Sequence, residues 1–302
     1  MEKIIGLIDA PFTPMKPNGD INLEPIPAYA AMLAKNGLKG VFINGSSGEG
    51  YMLMPDERKQ LAEAWMAAVP AGFKVIVHVG SCCLRESVEL ARHAASIGAW
   101  GIGSMAPPFP KIGRIEELVK YCEAIAAAAP ELPFYYYHIP AFNGAFLPML
   151  DFLKAVDGRI PNFAGIKYTD ENMMDFQLCL EFKNRKYNIM WGRDEMLLEA
   201  LSIGADAFIG STYGYMAPLY QAIARAFEAG DIKKAASLQF EAVRLITLLD
   251  KYGSGTGKGF MKAAGLDLGP CRRPLVTLEG ERYEAFLQEL PSTRFEEFKN
   301  SF

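Results

Sequence analysis

The chain has 302 residues, half of them hydrophobic and 22% charged, with a formal net charge of −4. That length buries a full core, as one large α/β domain or two smaller ones, and the lack of a basic tract or arm argues against nucleic acid as a partner. Five cysteines, odd in number and without a C-x-x-C spacing, read as reduced cytosolic thiols rather than disulfides or a zinc site.

From the N-terminus, Met1-Glu2-Lys3-Ile4-Ile5 meets Asp9 and Pro11 too soon to read as a signal peptide. No apolar stretch approaches the roughly 20 residues that cross a bilayer, so no membrane partner is expected. A first strand is expected over residues 6–12 and an amphipathic helix over 23–36. The alternation then continues: strand 40–44 and helix 55–69, strand 74–79 and helix 85–97, strand 100–104 and helix 115–129. Strand 133–137 precedes a less pronounced helix pattern at 148–156, strand 163–167 precedes helix 172–182, and strand 187–191 precedes helix 194–203. Strand 207–210 and helix 218–229 complete the series.

Several helices end in a glycine that leads to the next strand: Asn36-Gly37, Ile97-Gly98 and Ile203-Gly204. That is the C-terminal signal of a βαβ unit. Repeated strand–helix pairs over residues 1–230 predict a (β/α)8 TIM barrel. The rival, an open doubly wound sheet, usually carries a glycine-rich nucleotide turn after its first strand, and Asp9-Ala10-Pro11-Phe12 is unlike one. Residues 231–302 show no strand pattern and read as a C-terminal helical extension, with helices over 231–251, 257–264 and 278–290. Gly253-Ser254-Gly255-Thr256-Gly257-Lys258 follows a helix and lacks the GxxxxGK[ST] spacing, so it reads as a flexible interhelix turn rather than a phosphate loop.

In such a barrel chemistry sits at the C-terminal ends of the strands. Strand two ends in Gly45-Ser46-Ser47-Gly48-Glu49-Gly50, a cradle for a carboxylate or phosphate, or an ordinary polar turn. Strand five ends in Tyr137, which strand alternation puts on the face of Tyr135 and opposite Tyr136. Strand six ends in Lys167-Tyr168-Thr169. A lysine closing an apolar strand either has an ion-pair partner or does chemistry, because burial lowers its pKa and leaves a neutral amine able to attack a carbonyl. Lys167 and Tyr137 lie one strand–helix repeat apart, which predicts an amine and a phenol side by side at the same height. Strand seven ends in Gly192-Arg193-Asp194-Glu195, which also fits a helix N-terminus. Strand eight ends in Gly210-Ser211-Thr212-Tyr213, where Ser211 binds a polyol or caps the next helix. The histidines, His78, His93 and His138, lie on separate elements without an i, i+4 pair, and there is no GxSxG elbow, so no metal and no cofactor is expected.

Together and in this order, the Gly45–Glu49, Tyr137-His138-Ile139-Pro140, Gly165–Thr169, Gly192–Glu195 and Gly210–Tyr213 segments resemble the superfamily of N-acetylneuraminate lyase and dihydrodipicolinate synthase, over nearly the whole chain. The resemblance implies a class I aldolase. Lys167 would form a Schiff base with C2 of the keto acid, and Tyr137 would move the proton of the C4 hydroxyl. Ser46 and Ser47 would hold the keto-acid carboxylate and Thr169 would position the substrate. Gly192, Asp194, Glu195 and Ser211 would bind the hydroxylated tail of open-chain sialic acid, released as N-acetylmannosamine and pyruvate. It also implies a homotetramer in the cytoplasm. Dihydrodipicolinate synthases carry an arginine where this chain has Phe142, and a tyrosine in the loop that here reads Ala106-Pro107-Pro108-Phe109-Pro110. Ser47 stands where threonine is commoner, and Arg193 at a position the family varies. Three alternatives stay open: a pyruvate aldolase acting on a 2-keto-3-deoxy sugar acid, a dihydrodipicolinate synthase, and a non-catalytic barrel that binds keto acids.

Overall fold

Short runs of apolar residues bounded by polar turns leave few ways to satisfy their backbones except by pairing with one another while helices cover the outside. The computed structural model, which describes residues 2–302, does this in chain order. The first half comprises β1 (Gly6–Asp9), α1 (Ile26–Lys35), β2 (Gly40–Ile43), α2 (Pro55–Ala68), β3 (Lys74–His78), α3 (Leu84–Ser96), β4 (Gly101–Met105) and α4 (Ile115–Ala126). It continues with β5 (Phe134–His138), α5 (Pro140–Asn143), α6 (Met149–Val156), β6 (Phe163–Tyr168), α7 (Met173–Glu181), β7 (Asn188–Trp191), α8 (Leu197–Ser202), β8 (Ala207–Gly210) and α9 (Tyr213–Glu228). The chain ends in α10 (Ile232–Tyr252), α11 (Thr256–Ala264), α12 (Gly280–Glu289) and α13 (Phe295–Phe298).

Each strand pairs in parallel with its successor, and β1 pairs with β8 from Gly6↔Ala207 to Asp9↔Gly210, which closes the barrel. The fold is therefore the expected (β/α)8 barrel followed by C-terminal helices. Alternation along the strands sorts the core into two clusters. Ile8, Phe42, Ile76, Tyr135, Tyr137, Met190 and Ile209 fill the barrel. Leu7, Val41, Val75, Tyr136 and Ile166 face the helical layer. Gly37, Gly98 and Gly204 take positive φ of 79°, 73° and 91° just beyond their helices, so these turns do follow the glycine signal.

Three expectations need correction. The first strand stops at Asp9 rather than at residue 12, because Pro11 has no N–H to donate to a ladder. The helix expected at 194–203 is divided into a 3-10 turn over Asp194–Met196 and the helix α8, with Met196 outside helical geometry at φ −129°. The helix expected from Pro218 begins five residues earlier at Tyr213, with a break at Met216 that accommodates the proline. The glycine-rich segment at 253–258 is also more closely packed than a flexible turn requires. A Cβ on Gly257 would lie 2.2 Å from the Phe12 ring, so the chain there is pressed against the top of the barrel.

Candidate active site

Lys167 projects into the barrel from the end of β6, directly opposite Tyr137 of β5 in the strand register. Its Nζ stands 4.2 Å from the centre of the Tyr137 ring and 4.6 Å from that of Phe42. Only 4% of Lys167 is exposed, and among the described residues no carboxylate comes within 4 Å of its amine. The ion-pair alternative for this lysine is thereby removed. Loss of solvent dominates its electrostatics and brings the pKa down to about 7, while the more distant Asp194 and Asp9 pull the other way. Near neutral pH this amine has an appreciable unprotonated fraction, compared with a negligible one for an exposed lysine.

Tyr137 is equally buried. Its hydroxyl lies 2.9 Å from Ser46 Oγ in the turn after β2. Burial pushes the phenol up to about 12, and the Ser46 hydroxyl partly offsets this. Tyr137 is therefore protonated at neutral pH. The turn itself, Gly45 to Gly50, folds back through Glu49 N–H to Ser46 O (3.1 Å) and Gly50 N–H to Gly45 O (3.0 Å). Glu49 within it, at φ 60°, and Asn44 just before it, at φ 58°, are non-glycine residues in the left-handed region. Strained backbone of this kind is held in place by its surroundings; Thr13 Oγ1 donates to Gly48 O at 2.6 Å.

On the opposite side, two glycines make room for two polar side chains. A Cβ on Gly192 would lie 2.0 Å from Thr169 Oγ1, and a Cβ on Gly210 would lie 1.7 Å from Asp194 Oδ1. Thr169 Oγ1 and Asp194 Oδ1 have no hydrogen-bond partner among the described residues. Both oxygens are shut off from solvent, Thr169 Oγ1 against Gly192 and Asp194 Oδ1 against Gly210, while their residues line the cavity. Asp194 Oδ2 accepts from Thr212 N–H (3.1 Å) and Thr212 Oγ1 (2.6 Å). The carboxylate therefore bridges to the turn after β8 and does not cap its own helix, which was the competing reading of the Gly192–Glu195 segment. Burial raises its pKa to about 6, opposed by these two hydrogen bonds. Arg193 pairs with Glu171 and, at 3.4 Å, with Glu195, so Glu195 is oriented by its neighbour.

All of Ser46, Ser47, Tyr137, Lys167, Thr169, Gly192, Asp194, Glu195 and Ser211 line one cavity of about 770 Å³ at the C-terminal mouth of the barrel. Several of its walls were not evident from the sequence. Ile246, Leu249 and Asp250, spaced as one face of α10, roof it together with Gly253, Ser254, Cys271 and Leu275. Their helical spacing was readable, but not what the face would meet. Asp9, fully buried at the end of β1, accepts from the Tyr29 hydroxyl at 3.1 Å, and burial holds its carboxyl well above the usual range. No group of three or more His, Cys, Asp or Glu side chains among the described residues is placed to hold a metal ion.

The chain belongs to the dihydrodipicolinate synthetase family, whose model matches residues 3–292. It is 41% identical over 280 residues to the N-acetylneuraminate lyase of Rattus norvegicus, covering 91% of this chain and 88% of that protein. It is 39% identical over 303 residues to the N-acetylneuraminate lyase of Homo sapiens, covering 98% and 95%. The solved Proteus mirabilis N-acetylneuraminate lyase superposes with a TM-score of 0.95 at 36% identity, covering 97% of this chain and 100% of that one.

Proposed function

We propose that this protein is a class I aldolase that cleaves N-acetylneuraminate to N-acetylmannosamine and pyruvate without a cofactor. The observation that carries the reading is the buried, unpaired Lys167 amine beside the Tyr137–Ser46 hydroxyl pair. Lys167 attacks C2 of the open-chain keto acid, and loss of water leaves a protonated imine. The C4 hydroxyl then gives its proton to the Tyr137 oxygen as the C3–C4 bond breaks, while Tyr137 passes its own along the Ser46 hydroxyl to the keto-acid carboxylate. Its electron pair enters the imine to form an enamine, and C4 leaves as the aldehyde of N-acetylmannosamine. Protonation at C3 and hydrolysis release pyruvate and regenerate the amine.

The hydroxyls and backbone amides of the Ser46–Ser47 turn hold the keto-acid carboxylate in this scheme, and Thr169 orients the substrate beside Tyr137. Gly192, Asp194, Glu195 and Ser211 receive the hydroxylated tail; their shared place in the cavity wall supports this role. The shared name of the lyase relatives supports sialic acid as substrate. We place the enzyme in the cytoplasm, which its free cysteines support; no helix among the described residues is long and apolar enough to cross a membrane. We assign it as a homotetramer, supported by exposed aromatic side chains at Phe109, Phe142 and Phe146 that a subunit interface would bury.

Borohydride reduction in the presence of pyruvate, read by intact mass, tests the core of the reading. One reduced pyruvate adduct per chain is expected, mapping to Lys167. Release of N-acetylmannosamine, compared across N-acetylneuraminate and shorter 2-keto-3-deoxy sugar acids, tests the substrate. No adduct, or an adduct on another lysine, refutes the mechanism.

A further inference from the structure

Glu49 closes the turn that carries Ser46 and Ser47, and its side chain lines the catalytic cavity. Its carboxylate is almost wholly removed from solvent, with Oε1 2.7 Å from Lys258 Nζ; the two side chains are 2% and 4% exposed. Oε2 accepts from the backbone N–H of Arg272 at 2.7 Å. Lys258 donates in addition to Pro270 O at 2.6 Å. Both groups that hold Glu49 thus come from the C-terminal segment beyond α10. Lys258 lies in α11, and Arg272 is itself tied to α2 through Glu57 at 2.5 Å and to Met52 O at 3.0 Å.

This arrangement places a carboxylate close to where another must bind. Glu49 follows Ser46 by three residues, and a chain spans at most about 3.5 Å per residue, so their backbones lie within roughly 10 Å. An uncompensated charge at that range, in a medium of effective dielectric about 20, opposes an incoming anion on the order of tenfold. Lys258 is the only cationic side chain among the described residues within 4 Å of Glu49.

We propose that Lys258 is a positioning residue for the keto-acid carboxylate: its buried pair with Glu49 orients that side chain in the cradle turn and cancels its charge towards the bound anion. The inference rests on the aldolase reading above, in which the Ser46–Ser47 turn binds that carboxylate. It makes the C-terminal extension a functional part of the anion site. The Gly253–Lys258 segment then delivers a lysine to the barrel mouth rather than a phosphate cradle.

A purely structural brace and an electrostatic one predict different signs. With charge cancellation, K258M removes the cation beside the Glu49 carboxylate and raises the pyruvate concentration that half-saturates borohydride trapping by about tenfold. E49Q leaves a lysine without a competing carboxylate and does not raise it. The double variant E49Q/K258M returns to within about threefold of wild type, a coupling that only a pairwise interaction produces. K258R restores the charge and recovers most of the affinity. With a structural brace alone, K258M, E49Q and the double variant all weaken pyruvate together and lower the melting temperature in parallel, and that result overturns the proposal. So does unchanged half-saturation in K258M. If K258M fails to fold, E49Q and the double variant decide the matter: a raised half-saturation in either refutes the proposal, and an unraised one in both supports it. Absence of any adduct on the wild-type protein would overturn the aldolase reading itself.

Discussion

Replacing Lys167 by methionine keeps the length of the side chain and removes the amine, and the structure makes a two-sided forecast for it. Adduct formation and cleavage disappear. Stability, in contrast, increases, and by an amount that depends on pH. In the folded protein the Lys167 pKa is about 7, against 10.5 for the exposed group. Between those values the unfolded chain binds more protons than the native one, so the native lysine destabilises the fold below pH 10.5, fully so below pH 7. At 1.36 kcal/mol per unit, that cost is about 5 kcal/mol at pH 6, about 4 at pH 7 and about 1.5 at pH 9.5. With an unfolding entropy of about 2.1 cal/mol/K per residue over 302 residues, each kcal/mol moves the melting temperature by about 1.5 °C. K167M should therefore melt about 6 °C above wild type at pH 7 and only about 2 °C above it at pH 9.5. Differential scanning calorimetry of both proteins across that range is the assay. A melting difference that stays constant with pH, or one of opposite sign, would show that the amine is charged and paired, and would remove the physical basis for its nucleophilicity.

The same shift sets the activity profile: the rate of pyruvate trapping should rise with pH through an acid limb near pH 7, and a limb near pH 10 would contradict the buried amine. Tyr137→Phe should still form the trapped adduct but lose about 10²- to 10⁴-fold in kcat for cleavage; a variant within threefold of wild type removes the phenol from the proton path. Asp194→Asn should cost about 10- to 150-fold in kcat/KM for sialic acid, the range for a hydrogen bond involving a charged group. Because Asp194 also holds the Lys167 pKa up, its trapping limb should move to lower pH; an unmoved limb would place the two groups electrostatically apart. Gly192→Ala forces a methyl group to within 2.0 Å of Thr169 Oγ1, so Thr169 must move, and a loss of about 10²-fold in kcat/KM is expected. Near-normal turnover would show that the position of Thr169 is immaterial.

The sequence alone determined the barrel and most of its mouth, because those features are written in local periodicity. Apolar runs that are too short for helices, separated by amphipathic stretches and glycine stops, have few packings open to them. Tyr137 and Lys167 could be placed at one height for the same reason: parallel strands one repeat apart come to lie side by side, and the register confirms the pair. The tertiary structure decided what local pattern cannot express. Whether Lys167 has an acid within reach depends on side chains from β1 and from the turn after β7, and the answer, none within 4 Å, changes a structural lysine into a candidate nucleophile. That Asp194 reaches across to Thr212 rather than capping its own helix follows from the space above Gly210, a property of two different strands. The helical spacing of Ile246, Leu249 and Asp250 showed a face, but only the docking of α10 over the barrel turned that face into the roof of the cavity. Lys258 was visible only as the end of a glycine-rich run. Its meaning comes from Glu49, more than two hundred residues away in the chain, because a buried charge takes its role from the groups that the fold brings within a few ångströms of it.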